Sequence, residues 1–293
     1  MMPINNEGYT YCHEHLYIDL SEQKGDIDCK LDQYALICDE MRDLVNLGVS
    51  NIVEVTNRYM GRNPHFLECL MRDSGMNILL STGYYIEGFF PKKLYTQSAE
   101  DIRDEMIKEI NIGIDGSPLK ASLIGEIGSS DNAFSETEQK VFKAAAMAQY
   151  ETGRPISTHL SFSTMGKDQI ALLKQCGADL SRVTIGHCDL KNNLDKMLWI
   201  IDQGCYVQFD TIGKNSYFPD EQRIDMLEEL AKRDLLTRVM LSMDITRRSH
   251  LKNNGGPGFT YLIETFLPAL LERGFSQQQV DTMLRHNPYT LFN

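Results

Sequence analysis

The sequence predicts a (β/α)8 TIM barrel, and three observations predict it. Eight short apolar runs recur along the 293 residues, each followed by a stretch with helical spacing, which is the alternation of a parallel β/α architecture. Eight such units in a chain of this length fit a closed barrel better than an open doubly wound sheet. No Gly-x-Gly-x-x-Gly follows any run and no Walker-type phosphate loop occurs, which argues against a nucleotide fold. With no linker and no low-complexity segment, residues 1–293 read as one domain.

The first strand holds Tyr11-Cys12-His13-Glu14-His15-Leu16. A helix follows over 32–47, with Leu36, Ile37, Met41, Leu44 and Val45 on one face and Gly48 as its stop. Residues 51–55 read as a largely buried second strand, 64–74 as a helix and 77–82 as the third strand. The aromatic stretch 83–91, punctuated by Gly and Pro, reads as a long loop at a strand's carboxyl end. A helix over 99–113 leads to strand four at 121–127, and 136–153 is helical with the run Ala144-Ala145-Ala146. Strands five to eight fall at 155–159, 183–187, 205–209 and 239–243. The intervening helices fall at 166–176, 194–203 and 220–233. A Gly-rich loop (255–258) and helices over 261–273 and 277–285 complete the chain.

The formal net charge is −12, from 29 basic and 41 acidic residues. That balance disfavours non-specific binding to nucleic acid or to an anionic membrane surface. The seven scattered cysteines form no Cys-x-x-Cys pair, so neither a secreted disulfide framework nor a zinc ribbon is indicated. Cys12 and Cys188 read as small buried hydrophobes. The N-terminus, Met1-Met2-Pro3-Ile4, lacks a basic region followed by an apolar run, and no stretch approaches a membrane span. The expectation is a cytoplasmic monomer or homodimer acting on a small molecule.

Side chains alternate along a strand, so His13 and His15 share a face and Glu14 points away, toward the helical shell. His159 ends strand five, His187 ends strand six, Asp244 follows strand eight and Glu126 sits near the end of strand four. In a (β/α)8 barrel these strand ends meet on one face. Four imidazoles and two carboxylates exceed the needs of one tetrahedral zinc and suit two divalent ions joined by a carboxylate. The remaining histidines, His65, His250 and His286, fall in helices or loops with a solvated or capping role.

His-x-His on strand one, a strand-four carboxylate, histidines on strands five and six and Asp after strand eight resemble the amidohydrolase superfamily, and within it the phosphotriesterase family. The stretches His13-Glu14-His15-Leu16, Gly153-Arg154-Pro155-Ile156-Ser157-Thr158-His159 and Ile185-Gly186-His187 carry the resemblance over essentially the whole chain. It implies that His13, His15 and Asp244 hold the more buried metal, that His159 and His187 hold the more exposed one, and that a carboxylate bridges them. Most members place a carbamylated lysine on strand four. Here that position falls at or beside Gly125, so Glu126 is the candidate bridge, and strict alternation requires a small bulge to bring it inward.

Two divalent ions, zinc or manganese, would depress the pKa of a bridging hydroxide, with Asp244 taking its proton and passing it to the leaving group. The loop after strand eight carries Arg247, Arg248 and Lys252 beside a Gly-rich turn, and the loop after strand seven adds Lys214 and Tyr217 as candidate substrate contacts. Such cations suit a phosphate or carboxylate group and offer nothing to an aryl phosphotriester. The leading expectation is hydrolysis of a carboxylic ester or lactone, with a phosphorylated sugar lactone among the candidates. An organophosphate hydrolase, a mononuclear amidase or deaminase, and a metal-binding barrel without turnover are the alternatives.

Overall fold

The computed structural model describes residues 4–293; Met1, Met2 and Pro3 of the N-terminal reading lie outside the described residues. Eight parallel strands stand in chain order around one sheet: β1 Tyr9–Glu14, β2 Val49–Glu54, β3 Asn77–Thr82, β4 Ala121–Ser129, β5 Ile156–Leu160, β6 Val183–Ile185, β7 Tyr206–Phe209 and β8 Val239–Leu241. Helices α1 Tyr34–Asn46, α2 Pro64–Ser74, α3 Ala99–Asn111, α4 Glu136–Thr152, α5 Gly166–Gln175, α6 Leu194–Asp202 and α7 Asp220–Ala231 link consecutive strands. The predicted barrel is the observed one. A small antiparallel ribbon, Ile18–Asp19 with Lys30–Leu31, decorates the loop after β1. Among the described residues no helix is long and apolar enough to cross a membrane.

Side-chain and backbone bonds tie β8 to β1. The His13 amide donates to Ser242 Oγ at 3.0 Å, and the Asp244 amide donates to the His13 carbonyl at 3.3 Å. Glu14 accepts from Ser242 Oγ at 2.8 Å and from the Met243 and Ile245 amides at 2.7 and 3.1 Å. The carboxylate predicted to face the helical shell is therefore a clasp between the first and last strands. Burial pushes its pKa up to about 7, against the pull of the Ile245 and Met243 amides and Ser242. One apolar cluster joins Cys12, Val53, Leu79, Leu123 and Met240 from the strands to Ile4 and to Leu291 and Phe292 of the last helix.

The last helix departs from the prediction. It was expected to stop at residue 285, ahead of Pro288, yet helical backbone continues through Phe292. A wide π-type turn over Thr282–His286 immediately precedes Asn287–Phe292, and another over Leu262–Phe266 precedes Pro268. A wide turn disturbs the i→i−4 ladder just where proline brings no N–H, so each proline is accommodated.

Helix α4 starts on a reciprocal cap in which Ser135 Oγ accepts the Glu138 amide and Glu138 accepts the Ser135 amide. Ser135→Ala is expected to cost about 1 kcal/mol of stability, read as a lower urea midpoint at unchanged m-value.

Candidate metal centre and its pocket

The residues predicted to meet at the barrel mouth do meet. His15 Nε2 lies 3.4 Å from Glu126 Oε1 and 3.3 Å from Asp244 Oδ1. His13 Nε2 lies 3.5 Å from Glu126 Oε2 and 3.8 Å from Asp244 Oδ1. On the other side, His159 Nδ1 and His187 Nε2 approach Glu126 Oε2 at 3.2 and 3.6 Å. Glu126 thus stands between the strand-one pair and the pair from strands five and six, with His13, His15 and Glu126 forming one potential ligand set and Glu126, His159 and His187 another.

Local backbone explains how Glu126 reaches that place. Between Ile124 and Ile127, β4 advances three residues while β5 advances two, from Ile156 to Thr158. This is the single-residue bulge that the alternation argument required. Gly125 cannot carry the family lysine, because a Cβ there would sit 2.1 Å from the Ser157 carbonyl oxygen. The Glu126 amide donates to Val55 O at 3.2 Å and Asn57 Nδ2 donates to Glu126 O at 3.0 Å, which pins the bulge. His187 and Asp244 both adopt left-handed backbone, with φ of 55° and 52°. Strain of this kind gathers where a side chain must be aimed against local preference.

The electrostatics are those of carboxylates packed among imidazoles. Burial opposes the Glu126 charge, yet His13, His15 and His159 hold it well below the usual carboxylate range. Asp244 is likewise lowered, with burial opposing and the Lys214 ammonium and His15 favouring the charge. Burial disfavours a charged His15, but Asp244 and Glu126 push it up to about 10. His159 is held low by burial and by its neighbour His187.

Sequence reasoning missed the groups behind the ligands. Asp210, fully buried just after β7, is hydrogen-bonded to His187 Nδ1 at 2.9 Å, orienting that ring, and lies 3.3 Å from His13 Nδ1 in ion-pair reach. Thr56 Oγ1 is 2.6 Å from His15 Nδ1. Ser161 Oγ and Tyr85 Oη lie 3.1 and 3.3 Å from His159 Nε2. A signal for Asp210 was present, since it follows its strand directly, as Asp244 does.

Above this cluster opens a cavity of about 300 Å3 with two unlike walls. Tyr85, Ile86, Phe89 and Phe162 come from the loops after β3 and β5, and Lys24, Lys214, Arg247 and Tyr217 from the loops after β1, β7 and β8, so strand order puts the apolar and the basic lining on different arcs of the mouth. The Lys214 ammonium is engaged by Asp244 Oδ2 in a short ion pair, so its first duty is to that carboxylate. Two expected substrate contacts fall outside. Arg248 donates to the Lys30 carbonyl at 2.7 Å and to Asp32 Oδ1 at 2.6 Å, anchoring the ribbon. Lys252 pairs with Glu264 at 3.0 Å. A short 310 turn over Arg248–His250 directs the two neighbouring arginines apart, leaving Arg247 at the pocket with Asp26 at 3.1 Å.

A model of the phosphotriesterase family matches residues 2–292. The chain belongs to the phosphotriesterase family. It is 60% identical to the phosphotriesterase homology protein of Escherichia coli (strain K12), over 99% of this chain and 100% of that one. A crystal structure of that protein complexed with phosphate in its active site matches with a TM-score of 0.98 over the same shares. An N-acetyltaurine hydrolase of Dictyostelium discoideum is 31% identical over 98% of this chain and 80% of its own. A mutant PTE-like lactonase of Deinococcus radiodurans matches at 29% identity and a TM-score of 0.89, over 100% of this chain and 98% of that one.

Members of the phosphotriesterase family and these relatives are hydrolases, and this chain is an enzyme of that class. Its barrel mouth presents the histidine and carboxylate cluster expected of a family that binds divalent metals.

Proposed function

We propose that this phosphotriesterase-family hydrolase uses two divalent ions, zinc or manganese, to cleave a carboxylic ester or lactone that carries an anionic group. The observation that supports it best is Glu126 standing between two histidine pairs beneath a pocket with one apolar and one basic wall. The donor set fits metal. Buried His13 Nε2 has no hydrogen-bond partner and faces the Glu126 and Asp244 carboxylates, and an orphaned imidazole nitrogen among carboxylates calls for a ligand. Donors ~2.1 Å from a tetrahedral ion lie ~3.4 Å apart, and the observed separations run from 3.2 to 3.8 Å.

His13, His15 and Asp244 would hold one ion, His159 and His187 the other, and Glu126 would span both. When bound, the ions supply Lewis acidity and acidify the attacking water. The chain's own groups do the rest. Asp244 accepts the water's proton and returns it to the departing oxygen. Lys214 keeps that carboxylate ionised and fixes its orientation until the transfer. Tyr85 and Ser161 hold the His159 ring from behind, and the aromatic wall excludes bulk water from the acyl side.

A second reading is favoured by the same unlike walls together with the N-acetyltaurine hydrolase relative: an amide joining a short acyl group to an amine that bears an anion. In both readings the basic side selects for charge, and a neutral phosphotriester gains nothing from it. Arg247→Ala is expected to raise KM for anionic substrates by roughly tenfold, the worth of one charge-assisted contact, while Arg248→Ala leaves KM within roughly twofold. Protein with quantified metal, screened against sugar-lactone phosphates, acyl lactones, esters and N-acyl amides, tests the proposal. One ion per chain at full activity, or turnover confined to neutral triesters, would overturn it.

A further inference from the structure

A second cavity, of about 180 Å3, lies between the first turns of α5 and α6 and shares only Leu160 with the active-site pocket. Met165, Met197, Trp199 and Ile200 give it an apolar lining. Its polar groups are Ser163, Lys167 and Asp168 at and before the start of α5 and Asn193 and Lys196 at the start of α6. Asn193 precedes that helix without capping it through its side chain, and its Nδ2 is buried with no hydrogen-bond partner. A buried amide donor left unmatched costs free energy, so this one points to an acceptor arriving from outside the chain. Lys196, one turn on, places Nζ 3.5 Å from the Ser163 carbonyl across the cavity. Lys167 Nζ stands 5.1 Å over the Trp199 ring. The acidic lining residue, Asp168, sits in the first turn of α5.

Positions 193, 196–197 and 200 fall on one face of α6, polar at its start and apolar thereafter. We propose that this cavity binds a short aliphatic monocarboxylate. Its carboxylate accepts from Asn193 Nδ2 and Lys196 Nζ, and its chain lies along Met197, Trp199 and Ile200. A compact inorganic anion leaves the apolar wall unfilled, and an uncharged aliphatic molecule leaves the Lys196 ammonium without a counter-charge. Leu160 and Cys188, both in the lining, directly follow His159 and His187 in the chain, so the occupant sits behind the segments that carry two candidate ligands.

Trp199 is the single tryptophan of the sequence, and its emission reports on this cavity directly. Metal-loaded, full-length protein titrated with hexanoate is expected to show a saturable change in that emission. Lys196→Ala should weaken the affinity by roughly tenfold, the worth of one charge-assisted hydrogen bond, and Asn193→Leu should weaken it as well. Hexanol should bind more weakly than hexanoate, and inorganic phosphate should give no saturable change. Three results would overturn the proposal: no saturable response to hexanoate, equal affinity in wild type and Lys196→Ala, or hexanol binding as tightly as hexanoate.

Discussion

Asp244→Asn is expected to lower kcat by ~10²–10⁴, the usual contribution of a positioned general acid–base group. The asparagine keeps the size of the side chain and removes both its charge and its basicity. Asp244 is shared by two demands: Oδ1 lies 3.3 Å from His15 Nε2 and Oδ2 is ion-paired with Lys214. An amide at that place can neither accept the water's proton nor neutralise the buried ammonium. Metal content measured on the same sample separates the two roles. A fall in kcat with both ions retained supports the proton-transfer assignment. A variant that holds its metal and turns over within tenfold of wild type would falsify it.

Arg223→Ala is expected to destabilise the fold by about 3–5 kcal/mol, the cost of leaving a buried charge without its partner. Arg223 is fully buried. Its guanidinium donates to Asp189 Oδ2, Asp220 Oδ1 and Thr211 Oγ1, each at 2.8 Å, and to the Phe218 carbonyl. Burial raises the Asp189 pKa, opposed first by Arg223, so removal of the guanidinium leaves that carboxylate to the dry interior. Asp189 also accepts the Thr211 amide at 3.1 Å; it follows His187 by two residues, and Thr211 directly follows Asp210. The arginine therefore braces the loops that carry a candidate ligand and its orienting carboxylate. Urea unfolding checks the magnitude, and a cycle with Asp189→Asn checks the cause. The double variant should be less destabilised than the two single losses added together. Strict additivity would show that the pair is not coupled.

Most of the candidate centre was legible because strand-end position in a parallel barrel translates directly into proximity. His159, His187 and Asp244 each sit at or just past the end of an apolar run, and His13 and His15 are paired by alternation. The requirement for a bulge at Glu126 could also be read from the strand, since its neighbour Gly125 occupies the position alternation would favour. Asp210 was equally readable and was passed over, because nothing beside it in the sequence marked it apart from an ordinary buried acid. Glu14 illustrates the opposite case: alternation excludes it from the centre, but its bonds to Ser242, Met243 and Ile245 depend on a strand some 230 positions away.

By itself, the sequence determined the eightfold alternation, the barrel and the cluster at its mouth. These follow from side-chain periodicity and strand order, which are local properties of the chain. Only the tertiary structure decided that Arg247 faces the pocket while Arg248 holds the ribbon through Lys30 and Asp32. It also decided that Lys214 is bound to Asp244 and that Lys252 belongs to Glu264. The physical reason is the same in each case. A long cationic side chain in a loop has many carboxylates and carbonyls within reach, and its partner is chosen by whichever segment the fold brings beside it.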